Sequence, residues 1–431
     1  MKNAKSFMAA FAAIVMTFSA AAPAYAVSDG GVTAAEVGAS FSESKPYEDG
    51  EHEGVFVSED GFIYGPEKFA EGTCRVIDYI GDKADIVIPK EIDGYKVTSI
   101  KSYFEDDYMT AQAFLLNDRL KSVTILADIE SISDNSFYGC KNLEKVVLPE
   151  TLKRTGSRVF ADCTALESID LPNGLEYVGD RFAWDSKWLA AREKSEKLVV
   201  ICGRLISGRK AKGKVTVPAN VSDIAGYAFN GCKGMTELVI PGTCKGIGEG
   251  SINDCPKLKK VTLKNGVKGV SNLGAIHDCP AVEKIVLPPS LDRENAGYMI
   301  WEYNNHATYY YYKGTGAEKA VKKALKTIKT IKGSVLPGKT KSLKLTASKG
   351  RIKVTWQTVS TAGGYQIKIS PDKTFKNGVT TRFVKDKNTK SIVFKKLGSG
   401  KKYYVRMRTY RTISGRKYYG NYTKVRAAVV K

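Results

Sequence analysis

The chain has 431 residues, enough for two or three domains, and 43% of them are hydrophobic, which excludes a globally disordered chain. The net charge of +22 is unevenly placed: residues 337–431 carry 25 Lys and Arg against 2 acids, a net +23, while residues 1–312 hold 35 basic and 42 acidic residues, a net −7. An acidic body with a basic tail points to a preference for anionic partners or surfaces, and says nothing about fold.

Residues 1–26 read as an export signal. Lys2 and Lys5 precede the uncharged run Phe7 to Phe18, and Ala24-Tyr25-Ala26 forms a small-x-small cleavage site. The alternative is a short membrane anchor, but the run falls short of the ~20 apolar residues that span a bilayer. No later segment approaches that length, and the stretch ending in Val429-Val430-Lys431 reads as neither a hydrophobic tail nor a sorting motif. The expectation is a secreted, extracellular protein, released or held non-covalently at the cell surface, with no transmembrane segment in the mature chain. Residues 27–70 read as a partly disordered leader.

Self-similarity organises residues 71–312. Units starting at Val123, Val146, Ile169, Val215, Leu238 and Val261 repeat with a period of 23 residues, the last being 24 long. A looser unit starts at Ile86 and carries an insertion around Tyr103 to Leu116. Within a unit, Val146 and Leu148 alternate with outward residues as in a short half-buried strand, and Pro149 ends it. Leu152, Phe160, Cys163 and Leu166 supply the return leg. One unit cannot offset its own ordering entropy, so neighbours must stack and share a core. The predicted core holds Phe137, Phe160 and Phe229 together with Cys140, Cys163, Cys232, Cys255 and Cys279, each type in one slot of successive repeats.

The run Ile132 to Pro149, with Phe137, Cys140, Leu143, Val146 and Leu148, resembles the BspA-type leucine-rich repeat found in secreted and surface proteins of bacteria. The resemblance covers about Cys74 to Lys332. It implies a leucine-rich-repeat solenoid of short parallel strands, a lead-in over Gly72 to Ile100, and an exit helix over Gly314 to Lys332. It also implies adhesion to host matrix and other cell-surface interactions. The unit from Ile169 departs from the pattern, with Ser186 at the Cys slot and a break through Arg209. Residues 313–336 read as a capping helix and linker.

From 337 to 431 the period changes to short alternating strands. Ile352, Val354 and Trp356 form one, Tyr365, Ile367 and Ile369 another. Tyr403, Val405, Met407 and Thr409 form a third, with Tyr404, Arg406, Arg408 and Tyr410 opposite. Gly363-Gly364, Asn377-Gly378 and Gly398-Ser399-Gly400 mark turns. The segment reads as an all-β sandwich and resembles a fibronectin type III domain. That resemblance implies a buried Trp356 and a tyrosine corner at Leu397 and Tyr403; Trp356 and Tyr403 are the structural core residues expected here.

Two features could bind. The first is the aromatic cluster Trp301, Tyr303, Tyr309, Tyr310, Tyr311 and Tyr312, with Tyr298. It could stack on sugars or anchor a protein, or could simply cap the exposed core end. The second is a basic face of Lys401, Lys402, Arg406, Arg408, Arg411, Arg416 and Lys417, which could hold anionic polymers or form a solvated surface.

Catalytic signatures are sparse. No C-x-x-C occurs, and no metal or cofactor is expected. The eight Cys read as buried free thiols, with a disulfide between stacked neighbours as the alternative, and Cys74 and Cys202 fall outside the ladder. Of the three His, His52 lies in the leader, His306 lies near the Tyr run, and His277 lies beside Cys279, whose ladder position faces inward. No enzyme activity is expected. The leading expectation is a secreted adhesion or binding protein whose basic sandwich contacts anionic cell-wall polymers, and whose partners are extracellular proteins, matrix or glycans, without nucleic acid. A glycan- or peptide-degrading enzyme, or its accessory, and a structural spacer are the alternatives.

Overall fold

A computed structural model describes residues 55–67, 70–101, 113–300, 304, 306–328, 330–340, 342–413 and 415–431. The export signal, His52, most of the leader, Trp301 and Tyr303 lie outside the described residues. The chain divides into two compact units at Gly208–Arg209, inside the stretch expected to form one solenoid.

In the N-terminal unit the end of the expected leader is folded. Strands Phe56–Val57, Phe62–Pro66 and Thr73–Tyr79 form an antiparallel meander, and Phe62 and Tyr64 are buried in the core. Burial of these rings draws the chain into the fold well before residue 71. Strands Asp85–Ile88, Ser122–Ile125, Lys145–Val147 and Ser168–Asp170 then pair in parallel. Their register aligns Ile86, Val123, Val146 and Ile169, which all point inward.

Behind this sheet the rings of Phe114, Phe137 and Phe160 stack at 4.8 and 5.4 Å between centroids, and Phe182 and Trp188 follow edge-on at 5.4 and 6.1 Å. The spacing follows the ~4.8 Å separation of paired strands. The break after Ile169 is a helix, Lys187–Ser195, and a hairpin, Val199–Ile201 with Arg204–Ser207. Ser186 takes the Cys slot because it caps this helix: its hydroxyl accepts from Leu189 N at 3.1 Å.

In the C-terminal unit six parallel strands form one sheet, with Val215, Leu238, Val261, Ile285, Tyr309 and Gly333 in register. The Tyr run is therefore a regular rung, Thr308–Tyr312, and the expected linker supplies a sixth strand, Lys332–Leu336. Gly333 is required there, since a Cβ would lie 2.9 Å from Val321 Cγ1. The helix Gly316–Thr327 begins with a capping box: Thr315 accepts from Glu318 N, and the Glu318 carboxylate accepts from Gly314 N. It buries Ala317, Ala320 and Val321.

Residues 344–429 form two antiparallel sheets around one core. One sheet holds Lys344–Ser348, Arg351–Thr355 and Ser391–Lys395. The other orders Thr380–Val384, Gly364–Ser370, Lys402–Ile413 and Arg416–Tyr419, with Arg426–Val429 paired to the first residues of the long strand. Trp356 is buried against Tyr365. Tyr403 is half-buried at the core edge, and its hydroxyl accepts from Gly398 N at 3.2 Å.

Candidate functional site

The strand Lys402–Ile413 alternates as its sequence suggests. Val405, Met407 and Thr409 are buried, and Tyr404, Arg406 and Arg408 stand on the outer face. Tyr419 on the neighbouring strand, with Phe375 and Tyr422 from the connecting segments, turns these arginines into a layered stack. Phe375 lies 4.2 Å from the Arg406 guanidinium carbon, which lies 4.3 Å from the Tyr422 ring. Arg408 lies 4.6 Å from the same Tyr422 ring and 3.7 Å from Tyr419. Gln366, opposite Arg408 in register, accepts from Arg408 Nε at 2.6 Å and from the Tyr422 hydroxyl at 3.0 Å. Each guanidinium is thus held against ring faces, with Arg408 Nε bonded to Gln366 and Arg406 Nε buried beneath the rings. Such contacts contribute about 0.5–2 kcal/mol each, rising with desolvation.

The field at this face is positive. Asp372 and Asp386 are the only acidic side chains in residues 337–431, and both are used inside turns. Asp372 accepts from the Thr374 hydroxyl and from the backbone N–H groups of Thr374, Lys376 and Asn377, which hold its carboxyl down to about 2. Asp386 accepts from Asn388 N and the Thr389 hydroxyl. Among the described residues of the sandwich no salt bridge neutralises a guanidinium. An unneutralised, pre-oriented Arg pair suits bidentate bonding to an oxyanion.

The predicted basic face is split by the strand pleat. Lys402 lies over Tyr404 (5.8 Å), and Lys417 lies near the rings of Phe383 (5.8 Å) and Tyr410 (5.9 Å), on the side of Arg406 and Arg408. Lys401 is exposed in the turn before the strand. Arg411 and Arg416 belong to the other side, because odd positions of the strand face away from Arg406 and Arg408. Arg411 Nη1 donates to the Tyr312 hydroxyl at 3.4 Å, and Arg416 lies 5.6 Å from the Tyr418 ring.

The aromatic end of the repeats is not an open platform. Tyr309 and Tyr311 are buried because alternate residues of their strand pack inward, and Tyr312 is buried beside Tyr418, 5.6 Å away between centroids, and Arg411. Tyr310 is half-buried, on the outward column of Thr216, Val239, Thr262 and Val286. Sequence reading missed Phe375, Gln366, Phe383, Tyr419 and Tyr422. The rings' only signal was an aromatic content in residues 375–422 that the third strand's own alternation did not use, and Gln366 had none.

Residues 107–198 and 207–299 match the family model described as BspA type Leucine rich repeat region, in six copies. These two segments carry BspA-type leucine-rich repeats. No curated protein matches the chain. Solved structures that resemble it include a leucine-rich-repeat protein of T. pallidum, at 20% identity and a TM-score of 0.32, covering 52% of this chain and 90% of that one. A leucine-rich repeat protein from Bacteroides ovatus resembles it at 17% identity and a TM-score of 0.30, covering 64% and 76%. A leucine rich cell surface protein from Faecalibacterium prausnitzii does so at 16% identity and a TM-score of 0.22, covering 55% and 89%.

In the BspA-type repeats the thiols are packing groups. Cys140 donates to Phe114 O and Cys163 to Phe137 O, both at 3.0 Å, and Cys255 donates to Phe229 O at 3.2 Å. Each ties a repeat to the Phe-slot carbonyl of the one before. The residue preceding the slot, Gly139, Asp162, Asp185, Gly231, Asp254 or Asp278, has left-handed backbone, a conformation that Gly and Asp tolerate best. The neighbouring Cys163 thiol and then burial hold Cys140 well above its usual pKa, which makes it a poor nucleophile. Cys279 is buried and donates to the carbonyls of Ile252 and His277, so its thiol is not presented as half of a Cys-His dyad. All eight Cys are free, and Cys202 is exposed in the turn of the Val199–Ser207 hairpin. No helix among the described residues is long and apolar enough to cross a membrane, and no group of His, Cys, Asp and Glu among them could hold a metal.

Proposed function

We propose that this chain is a secreted or surface-associated binding protein, in which BspA-type repeats form the scaffold and a C-terminal domain of fibronectin type III kind binds anionic polymers. One observation carries the reading: two guanidiniums, Arg406 and Arg408, are fixed between aromatic rings with no carboxylate partner among the described residues, on a segment of net charge +23. Export supports it through the sequence of residues 1–26. Leucine-rich-repeat proteins generally bind proteins, so a second, protein partner on the repeats, host matrix among the candidates, fits the same role. Catalysis has no part in the proposal.

The test is binding of the full chain to an immobilised polyanion across a salt series. Affinity should fall steeply and log-linearly with salt, and Arg406→Gln with Arg408→Gln should reduce the slope by about 2, one unit per cation removed. Binding that ignores salt, or no binding at all, refutes the proposal.

A further inference from the structure

Resting on the anion-binding reading, we propose that the outer face of the sandwich selects an acidic polysaccharide, a chain of pyranose rings bearing sulfate or carboxylate groups, over polyanions that lack rings. The face carries one thing that bare charge does not require. Phe383 is a large apolar side chain left 46% exposed on the sheet's edge strand Thr380–Val384. Its ring is held edge-on by Tyr410 at 5.8 Å, and Tyr410 lies 6.2 Å from Tyr419, the ring that covers Arg408. Lys417 places its ammonium 5.8 Å from the Phe383 centroid. An exposed ring, an ammonium and a guanidinium edge therefore share one surface.

That combination matches a pyranose. Its axial C–H groups make an apolar face that stacks on an aromatic ring, while its acidic substituents project from the rim toward cations. The register supplies the span. Phe383 pairs with Gln366, and Gln366 pairs with Arg408. Phe383 and Arg408 are thus two strand spacings apart, about 10 Å, the reach of a disaccharide. A disaccharide with one sugar over Phe383, beside Lys417, is long enough to bring an acidic group of its second sugar within reach of Arg408. Polyglutamate and polyphosphate could meet the cations, but neither has a ring face for Phe383. The two acidic side chains of the domain are held in turns, so charge complementarity favours an anionic occupant throughout.

The experiment measures the full chain against a sulfated or uronic polysaccharide, polyglutamate and polyphosphate at one ionic strength, then across a salt series. Phe383→Ala should weaken the polysaccharide complex about tenfold, from loss of an aromatic contact. It should leave the salt slope and the affinity for the other two polymers unchanged, and Phe383→Tyr should retain wild-type binding. Arg408→Gln should weaken all three. If Phe383→Ala leaves polysaccharide affinity intact, or weakens all three polymers alike, glycan selection is overturned while anion binding survives. If the wild-type chain binds none of the three, the underlying anion-binding reading itself falls. Since Phe383 is exposed, an unchanged circular dichroism spectrum and melting point separate a binding defect from misfolding.

Discussion

Phe137→Ala tests the stacked core directly. The Phe137 side chain is fully buried, with Phe114 at 4.8 Å on one side and Phe160 at 5.4 Å on the other. A buried Phe→Ala change costs about 3–5 kcal/mol from transfer and cavity together. Two ring contacts are lost at once, each contributing about 0.5–1.5 kcal/mol, so the expected loss lies in the upper part of that range, about 4–5 kcal/mol. Neighbouring repeats stabilise one another through their shared faces, so the N-terminal unit should weaken as a whole. At about 2–4 °C per kcal/mol for a unit of this size, its melting point should drop by about 8–20 °C. Far-UV circular dichroism in urea and heat measures the change, and hydrogen exchange assigns it to the unit. Leu126→Ala is the control, since Leu126 is 52% exposed and should change stability by no more than about 0.5 kcal/mol. A Phe137→Ala loss below about 1 kcal/mol would refute the claim that the Phe ladder holds the repeats together.

Two further outcomes follow from the described chemistry. Thiol labelling of the native chain should modify Cys202 alone, since the other seven Cys are buried; partial desolvation raises the Cys202 pKa, so its rate should climb with pH above 7, and mass spectrometry that finds Cys140 or Cys163 labelled before unfolding would contradict the packing. Asp78 is pushed up to about 6 by desolvation, against the lowering effect of bonds from Tyr79 N and Asn117. A folded pKa above the unfolded ~3.9 means the folded state binds the proton more tightly, so this residue's contribution is full below pH ~4 and is lost as pH rises through about 6. Asp78→Asn should remove that pH dependence, and urea midpoints that give a constant difference between the two proteins from pH 4 to 7 would show the carboxyl is not desolvated.

Much of the scaffold was legible from residue order. A 23-residue period with Phe, Cys and Leu in fixed slots requires stacked units, because a single unit has too few apolar residues to fold, and Phe137, Phe160, Phe229 and the five slot cysteines are all buried. The alternation over 404–409 likewise fixed which residues of that strand face inward, whereas Tyr410, read with the outer residues, is buried as well, against Phe383 and Tyr419. Period says less where the repeat degenerates. Tyr309 through Tyr312 read as a loose aromatic cluster, yet strand pairing with Lys284–Val286 and Lys332–Leu336 makes them a rung with Tyr309 and Tyr311 inside.

The candidate site was decided by tertiary structure. Tyr419 reaches Arg408 from the neighbouring strand, Phe375 and Tyr422 come from connecting segments, and Gln366, 42 residues away, sits opposite Arg408 in register, and no local pattern encodes that. Strand alternation puts Arg411 on the far side, and pairing opposite Ile413 puts Arg416 there too, although in sequence they sit among the other cations. Composition alone settled that the last 95 residues would be strongly positive. Where that charge is fixed, and the exposed Phe383 beside it, follows only from folding, because side-chain neighbours across a sheet are set by pairing and not by proximity along the chain.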